Sequence, residues 1–474
     1  MFTSIASRTS VGIAVVAGLA APAAAAAAAD LPLLPAGPQL SVLPHGYFEP
    51  PAAGTESALD ALLAQAVSRG DFSASYELDW VEIEPDQEIY DLDGFRQRFV
   101  DWEARGMTHF WLNISAISID SLGVPPDLLD PDDPSLLRDG MHIDDPVVVA
   151  RYLQMLDQVL PIALAHGTFA LGAGNEVNDY FQDHPGEADH FVAFLRAVRE
   201  HVRTIEPRLP VGVILTKSVV LDDQPWHGPI LAESDLAGYN YYALDPGLLF
   251  AITDEATIRG ELRALVRAAG GRPILIQELG MPTGLDGVTE AEQARIARIM
   301  YEELYDHRQV RWVSWFKMSD FSQAFADAWG QQLLDEGNPP WFVDRLKAWL
   351  RGSGLCVYET GAAKQAWDVF LGALDRAVLD VRHLRWSDET NLTWDAPARA
   401  ESYDVARGEV SRLRADGDLS AAVAVSCSQT ASGLVDEQVP PPGEAFYHVV
   451  RARAGASVGS WGRIARDASV TACP

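Results

Sequence analysis

The sequence has few cysteines and few positive charges. Three cysteines in 474 residues cannot build a disulfide-rich scaffold or a four-cysteine zinc site. Lysine and arginine together number 36 against 67 aspartates and glutamates, which gives a net charge of −31. So acidic a chain repels nucleic acid and anionic membrane surfaces. A neutral partner such as a polysaccharide is still compatible with this composition.

Long apolar runs are also scarce. After the N-terminal part of the chain, we expect no segment that could cross a bilayer. The N-terminus itself carries Arg8, an apolar run over 11–20 and then small residues that offer A-x-A cleavage sites. That order of features is typical of a secretory signal peptide. We therefore predict that residues 1–29 are removed, that the mature chain is secreted or periplasmic, and that it does not insert into a membrane.

Two of the cysteines, Cys427 and Cys473, lie near the C-terminus. Export to an oxidising compartment would permit a disulfide between them. Cys356 stands apart in the sequence, and we predict that it is a buried free thiol.

Strand-like and helix-like segments alternate through most of the chain. Apolar runs are separated by amphipathic runs with helical spacing, which is typical of βα units around a parallel sheet. Eight such strands over roughly three hundred residues fit a (β/α)8 TIM barrel better than an open sheet. We predict this α/β barrel domain over 30–378. The candidate strands are 40–48, 72–80, 108–115, 168–175, 209–216, 235–242, 272–279 and 311–318.

The pattern then changes to short alternating strands with turn residues and without helical crossovers between them. It predicts a small antiparallel all-β sandwich over 379–474. The segments YDVARG and FYHVVRA resemble the fibronectin type III modules of secreted bacterial proteins, which implies an immunoglobulin-like fold. We expect this domain to act as a spacer or to bind a surface or a glycan.

Two predicted barrel strands end in a glutamate. The fourth runs through FALGAGN into Glu176, and the seventh, ILIQELG, contains Glu278. Because the C-terminal ends of barrel strands form the active-site face, both carboxylates are expected at the same mouth. Two carboxylates about 5–5.5 Å apart serve a retaining glycosidase, one as nucleophile and one as acid and then base. Aromatic residues near the ends of strands six and eight would stack on sugar rings.

The barrel resembles the clan of retaining β-glycoside hydrolases in which strand four ends in Asn-Glu and strand seven in Glu. The resemblance implies that Glu176 is the acid/base, that Glu278 is the nucleophile and that Asn175 binds substrate. It also implies that Tyr242 hydrogen-bonds the nucleophile and that Trp315 lies under the sugar at the cleavage site.

The segment DWVEIEP resembles the W-x-x-I/L-E-P stretch that follows strand two in several of these families. It places Trp80 and Glu82 in the predicted cleft, with Trp80 as a substrate contact, and indicates a structural role for Glu84. The sequence departs from the clan in strand six, where Asn240 stands in place of a common histidine and is expected to contact substrate. A second departure is that no obvious basic residue closes strand two.

The predicted substrate is a β-linked polysaccharide or oligosaccharide of β-glucan or β-galactan type. The GNEV and ELGMPT segments are similar to plant-type β-1,3-glucanases, and YNYYALDP is similar to endo-β-1,4-galactanases. Transglycosylation would use the same residues. The alternative function is a non-catalytic carbohydrate-binding or adhesive protein on a degenerate barrel. In either case we expect a monomer that needs no cofactor and no metal.

Several other residues near the predicted site are assigned to structure. Trp312 is expected to pack in the core, because strand residues alternate in direction. Asp179 and Asp183 are expected to be solvated loop charges, and the acidic run 142–145 lacks the helical spacing of a zinc site. Tyr241 is compatible with either a core or a site position.

Overall fold

The computed structural model describes residues 33–473 except for 36, 71, 246–249, 380, 389, 398, 456, 462–468 and 471–472. The predicted signal peptide therefore lies outside the described residues. The described chain contains one large parallel sheet covered by helices, followed by two antiparallel sheets.

The parallel sheet closes into a barrel. Its strands and a small hairpin are β1 (Gln39–Val42), β2 (Ser73–Asp79), β3 (His109–Ser115), β4 (Ile117–Ser118), β5 (Ser121–Leu122), β6 (Thr168–Gly172), β7 (Val211–Gly212), β8 (Ile214–Thr216), β9 (Ala237–Tyr242), β10 (Ile274–Gly280) and β11 (Val310–Trp315). The sheet order is β7, β6, β3, β2, β1, β11, β10, β9 and β8. Only Val213 separates β7 from β8, so these are two halves of one strand, and eight strand positions complete the ring. The predicted parallel barrel is confirmed.

Helices cover the outside of the barrel because their apolar residues recur at helical spacing. In the helix 187–205, for example, the buried residues include Phe191, Phe194, Leu195 and Val198. The helices of this part are α1 (Glu56–Val67), α2 (Trp80–Ile83), α3 (Leu92–Ala104), α4 (Pro146–Ala165), α5 (Val177–Asp183), α6 (Glu187–Ile205), α7 (Ser218–Leu221), α8 (His227–Ala232), α9 (Glu255–Ala268), α10 (Glu290–Tyr305), α11 (Gln323–Asp335), α12 (Pro340–Leu350) and α13 (Gln365–Val378).

The expectation that no later segment is long and apolar enough to span a bilayer is wrong for α4. This 20-residue helix meets the length and hydropathy requirements by itself. In the structure it packs against α3, α6 and β6 as one of the outer helices of the barrel. Its buried Arg151 donates to Glu84 Oε1 (2.7 Å), and Trp80 Nε1 donates to Glu84 Oε2 (2.8 Å). The predicted structural role of Glu84 is thus supported by its contacts.

Large side chains fill the lower interior of the barrel. Trp111, Phe169 and Trp312 form a fully buried cluster with smaller apolar residues from neighbouring strands. Trp312 Nε1 donates to Ser73 Oγ (2.7 Å) on the opposite side of β1. The predicted packing role of Trp312 agrees with this position. With the interior closed below, a cleft can form only at the C-terminal mouth.

The C-terminal part contains two antiparallel sheets. Its elements are β12 (Arg382–Trp386), β13 (Asn391–Asp395), β14 (Ser402–Glu409), α14 (Val410–Asp416), β15 (Val423–Gln429), β16 (Gly433–Val435), β17 (Phe446–Ala454) and β18 (Ser457–Val458). One sheet has the order β12, β13, β16 and the other β15, β14, β17, β18. Trp394 of the first sheet packs with Tyr403, Val405 and Val450 of the second. The two packed sheets are consistent with a C-terminal β domain, although α14 departs from the expected helix-free pattern.

A disulfide joins Cys427 on β15 to Cys473, and Cys356 is a buried free thiol. The bond closes a loop with a sequence separation of 46 residues, which restricts the unfolded chain. We expect the paired Cys427→Ser and Cys473→Ser variant to lose about 2–4 kcal/mol in the free energy of unfolding of this β domain. Denaturant unfolding of the two proteins measures the difference. Equal midpoints would contradict a stabilising role.

Candidate active site

A cleft of about 1320 Å³ opens at the C-terminal mouth of the barrel. Side chains from the ends of β2, β9 and β10, and from the turn after β6, form its floor. Its walls combine acidic and aromatic residues. The carboxylates among the described lining residues are Glu77, Asp79, Glu82, Asp91, Glu176, Asp179, Asp222, Asp245 and Glu278.

Glu176 lies in the turn between β6 and α5 and has a left-handed backbone, with φ 50° and ψ 32°. This conformation is costly for a residue with a Cβ, and such outliers cluster at functional sites. The preceding Asn175 is held by two backbone bonds, one from its N–H to Ile117 O (3.0 Å) and one to its carbonyl from Ile119 N–H (2.7 Å). The Asn240 amide Nδ2 donates to Glu176 Oε1 (2.9 Å). These contacts aim the Glu176 carboxyl into the cleft.

Glu278 reaches the cleft through an irregularity in β10. The register between β10 and β9 shifts between Ile276 and Glu278, and such bulges redirect a side chain. Tyr242 OH donates to Glu278 Oε2 (2.5 Å), as the resemblance predicted. A hydrogen bond to the charged form favours that form. Tyr242 therefore fixes the orientation of the Glu278 carboxylate and favours its ionised form.

A chain of buried amides connects the two glutamate-bearing strands. Gln277 Nε2 donates to Asn175 Oδ1 (2.9 Å). Gln277 Oε1 in turn accepts from Trp111 Nε1 (2.7 Å) and Asn113 Nδ2 (3.1 Å). The network fixes the orientation of the Asn175 amide, whose other end is left to face the cleft.

Glu77 is a third carboxylate on the floor, and the sequence reasoning missed it. It lies on β2, where Ser75 Oγ donates to its Oε1. The Tyr47 hydroxyl contacts the Glu77 backbone at both the carbonyl and the N–H group. The missed signal is the alternation Ser73, Ser75, Glu77, which places three polar side chains on the inward face of a buried strand.

Burial and mutual repulsion raise the pKa of all three carboxyls. Burial, the Glu278 charge and the Asp179 charge raise the pKa of Glu176 well above its usual range. Burial and the Glu77 charge raise the pKa of Glu278 to about 8, opposed by Tyr242 and by the amides of Gln277 and Asn240. Burial and Glu176 raise the pKa of Glu77 to about 7. More donors serve Glu278 than Glu176, so Glu278 ionises more readily and Glu176 retains its proton.

These raised pKa values predict a pH-dependent stability. In the unfolded chain the carboxyls ionise near pH 4.5, whereas in the fold they hold protons up to about pH 7 for Glu77 and about pH 8 for Glu278. Stability is therefore lost as the pH rises through this window. We expect Glu278→Gln to melt close to the wild type at pH 4.5 and several degrees above it at pH 8. Thermal unfolding at several pH values tests this. A difference that does not change with pH would contradict the burial of an ionisable Glu278.

Asn175, Asn240 and Tyr242 line the cleft together with the two predicted catalytic glutamates. Trp315 and Trp80, the other two predicted substrate contacts, do not line the cleft, so these two assignments are wrong. Both indole rings are fully buried.

The assignment of Trp315 to the cleft is wrong by one residue along β11. Trp312 points into the barrel, so Ser314 and Phe316 share its face and Trp315 points outward. Its Nε1 donates to Ser353 O (3.0 Å). Phe316 lines the cleft instead. Trp80 begins a short helix and turns away from the cleft toward α4.

Aromatic side chains form one wall of the cleft. Much of this wall comes from α11 and α12, which follow β11 as a helical pair. Phe316 stacks on Trp349 with ring centres 5.3 Å apart, and Tyr242 meets Trp349 edge-on at 5.3 Å. Such faces bind the apolar sides of sugar rings. The wall consists of Phe48, Tyr242, Phe316, Phe321, Phe325, Trp329 and Trp349.

The remaining assignments divide between cleft and core. Glu82 lines the cleft, as predicted. Asp179 also lines it, and burial raises its pKa to about 6, so its assignment as a solvated loop charge is wrong. Asp183 is exposed. Tyr241 is a core residue whose hydroxyl donates to Glu261 Oε2 (2.9 Å). In the run 142–145, Asp145 caps α4.

The sequence matches no protein-family model and no curated protein. The fold is similar to that of solved glycoside hydrolases. A GH5_18 protein from Streptomyces cattleya in complex with Manβ1-4GlcNAc is 17% identical, with 77% of this chain and 83% of that chain covered and a TM-score of 0.53. A GH5_18 protein from Bifidobacterium longum subsp. infantis is 15% identical, with coverages of 72% and 79% and a TM-score of 0.53. At this identity the similarity establishes the barrel fold.

An exo-β-1,4-mannosidase from Opitutaceae bacterium strain TAV5 is also similar. It is 16% identical, with 72% of this chain and 60% of that chain covered and a TM-score of 0.50.

Proposed function

We propose that the protein is a secreted β-glycoside hydrolase that acts with retention of configuration on a β-linked polysaccharide or oligosaccharide. The main observation in support is that Glu176 and Glu278 lie on one cleft floor in different hydrogen-bonding environments. Two carboxylates held in different protonation states are what an acid/base and nucleophile pair requires. One solved structure with a similar fold is an exo-β-1,4-mannosidase and another is a complex with Manβ1-4GlcNAc, which supports a β-linked sugar as the substrate here.

In the first step, ionised Glu278 attacks the anomeric carbon from the face opposite the leaving group. Glu176 donates its proton to the glycosidic oxygen as the carbon–oxygen bond breaks, and the sugar is left as an ester of Glu278. Because Tyr242 OH donates to Glu278 Oε2, the other oxygen of this carboxylate, Oε1, is the one that attacks. The chain's own carboxylates thus supply both halves of this step.

In the second step, water enters from the side of the departed group. Glu176, now ionised, takes a proton from that water, and the oxygen attacks the anomeric carbon to break the ester. Two inversions leave the product with the β configuration of the substrate. Glu278 returns to its ionised form and Glu176 to its protonated form.

The amides and aromatic wall would position the sugar. Asn175 and Asn240, beside Glu176, offer polar groups to hydroxyls near the reacting carbon. Phe316 and Trp349 offer flat surfaces to sugar units further along the cleft. Positioning of this kind lowers the entropic part of the barrier.

A hydrolysis panel tests the proposed function. The mature protein, starting at Asp30, is incubated with β-linked glucans, galactans, mannans and xylans, and reducing ends are counted. We expect cleavage of at least one polymer by the wild type and none by Glu176→Ala or Glu278→Ala. If one polymer binds but none is cut, the protein is a carbohydrate-binding protein on a degenerate barrel and the proposed hydrolysis is wrong.

A further inference from the structure

A buried lysine lies behind the aromatic wall of the cleft. Lys317 follows β11, and its side chain is only 1% exposed. Its ammonium has no hydrogen-bond partner among the described residues, and its ion pair with Glu49 Oε1 is long, at 3.6 Å. Burying a charge without close partners is costly. The ammonium must therefore be stabilised by another kind of contact.

Aromatic rings provide that contact. Lys317 Nζ lies 3.2 Å from the centre of the Phe321 ring and 5.8 Å from the centre of the Phe48 ring. The face of an aromatic ring attracts a cation, most strongly where water is excluded. Phe48 and Phe321 also contact each other, with ring centres 5.5 Å apart. Both rings line the cleft and Lys317 does not, so the ammonium holds them from behind.

The same ammonium is connected to the start of α11. Its ion-pair partner Glu49, which directly follows Phe48, accepts at Oε1 from the backbone N–H of Ser322 (2.7 Å). Ser322 is the N-cap of α11, and this helix carries Phe325 and Trp329 of the wall. Lys317 thus joins the loop after β1 to the helix that supplies much of the wall.

Phe48 is the ring of this pair that a substrate can contact. It is 41% exposed, whereas Phe321 behind it is 1% exposed. A series of ring contacts leads to it from the floor. Tyr242, which donates to Glu278, has its ring centre 5.7 Å from that of Phe316, and Phe316 is 6.0 Å from Phe48. A sugar over Phe48 is therefore a different unit of the chain from the one that reacts at Glu278.

We propose that Lys317 is a positioning residue whose charged ammonium holds Phe48 as a platform for a sugar unit beyond the cleavage position. The platform is released when the ammonium loses its proton. The inference rests on the proposed function, because the platform belongs to the same cleft. It implies that the substrate is an oligosaccharide or polysaccharide long enough to reach the wall.

The groups around Lys317 place this change near neutral pH. Burial lowers the pKa of Lys317 to about 7, opposed by the charges of Glu49 and Asp320. Burial raises the pKa of Asp320 to about 6. Two further titratable groups face this cluster, namely Lys364, whose Nζ donates to Asp320 Oδ1 (2.7 Å), and Tyr358, which lies near Glu49. Lys317 is therefore charged below about pH 7, and its attraction to the rings is lost as the pH rises.

Hexasaccharides test the inference, because they can reach the wall from the floor. They are prepared from the β-linked glucans, galactans, mannans and xylans of the hydrolysis panel, and KM and kcat are measured from about pH 6 to about pH 9. Lys317→Met removes the charge and keeps an unbranched side chain. We expect it to raise the hexasaccharide KM about threefold to tenfold below pH 7, as the loss of a cation–π contact predicts. Above pH 8, where the wild-type lysine is neutral, the two KM values should converge. The value of kcat should change little at any pH.

Three further variants make the test specific. Lys317→Arg keeps a cation that stays charged over this range, so its KM should equal that of the wild type at pH 6 and be the lower of the two above pH 8. Phe48→Ala removes the platform and should raise KM as Lys317→Met does. Adding Lys317→Met to Phe48→Ala should then have no further effect. Arg196→Met, at an exposed site on α6, removes a positive charge elsewhere and should leave KM unchanged.

The outcomes separate the inference from the proposed function. Cleavage with a KM that Lys317→Met leaves unchanged, or raises by the same factor at every pH, overturns the inference and leaves the function standing. If Lys317→Met does not fold, Lys317→Arg decides, and a KM that follows the wild type at every pH overturns the inference.

If no hexasaccharide is cleaved, the proposed function fails, and calorimetry with the same hexasaccharides and variants decides the inference. The same dependence of Kd on the variant and on pH supports it. Binding that does not depend on Lys317, or the absence of binding, overturns it.

Discussion

Replacing Glu278 by glutamine should lower kcat by at least about 10³-fold on every glycoside that the wild type cleaves. An amide of the same size fills the same space against Tyr242, but it is too weak a nucleophile to form the sugar ester. The loss should therefore be seen in kcat as well as in kcat/KM. Initial rates with aryl β-glycosides measure both.

Two controls separate lost chemistry from lost structure. The melting temperature of Glu278→Gln should be equal to or above that of the wild type at pH 7, because the variant removes a buried carboxyl with a raised pKa. Azide added to the smaller Glu278→Ala variant should enter the space and attack the anomeric carbon, which yields an α-glycosyl azide. A Glu278→Gln variant that keeps a tenth of wild-type kcat would exclude Glu278 as the nucleophile.

Replacing Glu176 by glutamine should lower kcat/KM by about 10²- to 10⁴-fold on oligosaccharides, whose leaving group needs a proton. On a dinitrophenyl β-glycoside, whose leaving group departs as an anion, the formation of the sugar ester should be nearly unaffected. Burial and the Glu278 charge raise the pKa of Glu176 well above its usual range, which favours the protonated form that a general acid needs. Comparing the two substrates measures the contribution of the proton.

The contrast between leaving groups is the decisive part of this prediction. Loss of Asn240 hydrogen bonding or a shift of the turn would slow both substrates to a similar extent. A Glu176→Gln variant that loses the same factor on both would therefore make Glu176 a positioning residue. Glu200→Gln, at an exposed site on α6, provides the charge-matched control.

The barrel and the two glutamates on the cleft floor were predictable because both depend on local pattern. Apolar runs separated by amphipathic helices specify parallel strands, and parallel strands deliver their final residues to one edge. Glu176 and Glu278 follow from that rule alone. The resemblance implies the hydrogen bond from Tyr242 to Glu278, and the structure contains it.

The missed residues could be identified only from the direction of their side chains. A shift of one residue in register turns a strand side chain to the opposite face. The resemblance implies that Trp315 lies under the sugar, but the alternation from Trp312 puts Phe316 in the cleft. Glu77 was missed because the barrel rule draws attention to the residues that end strands, whereas Glu77 lies within β2. The aromatic wall was out of reach for another reason, since the packing of α11 and α12 over the mouth is a tertiary arrangement that no local pattern encodes.

The central proposal is tested most directly by trapping the sugar on the protein. Aryl 2-deoxy-2-fluoro-β-glycosides of gluco, galacto and manno configuration slow ester hydrolysis, so a glycosyl-enzyme accumulates, and peptide mass mapping locates it. The predicted result is one added sugar on Glu278. A sugar on Glu77 or Glu176, or turnover of the parent glycoside with no trapped sugar at all, would contradict the proposed mechanism.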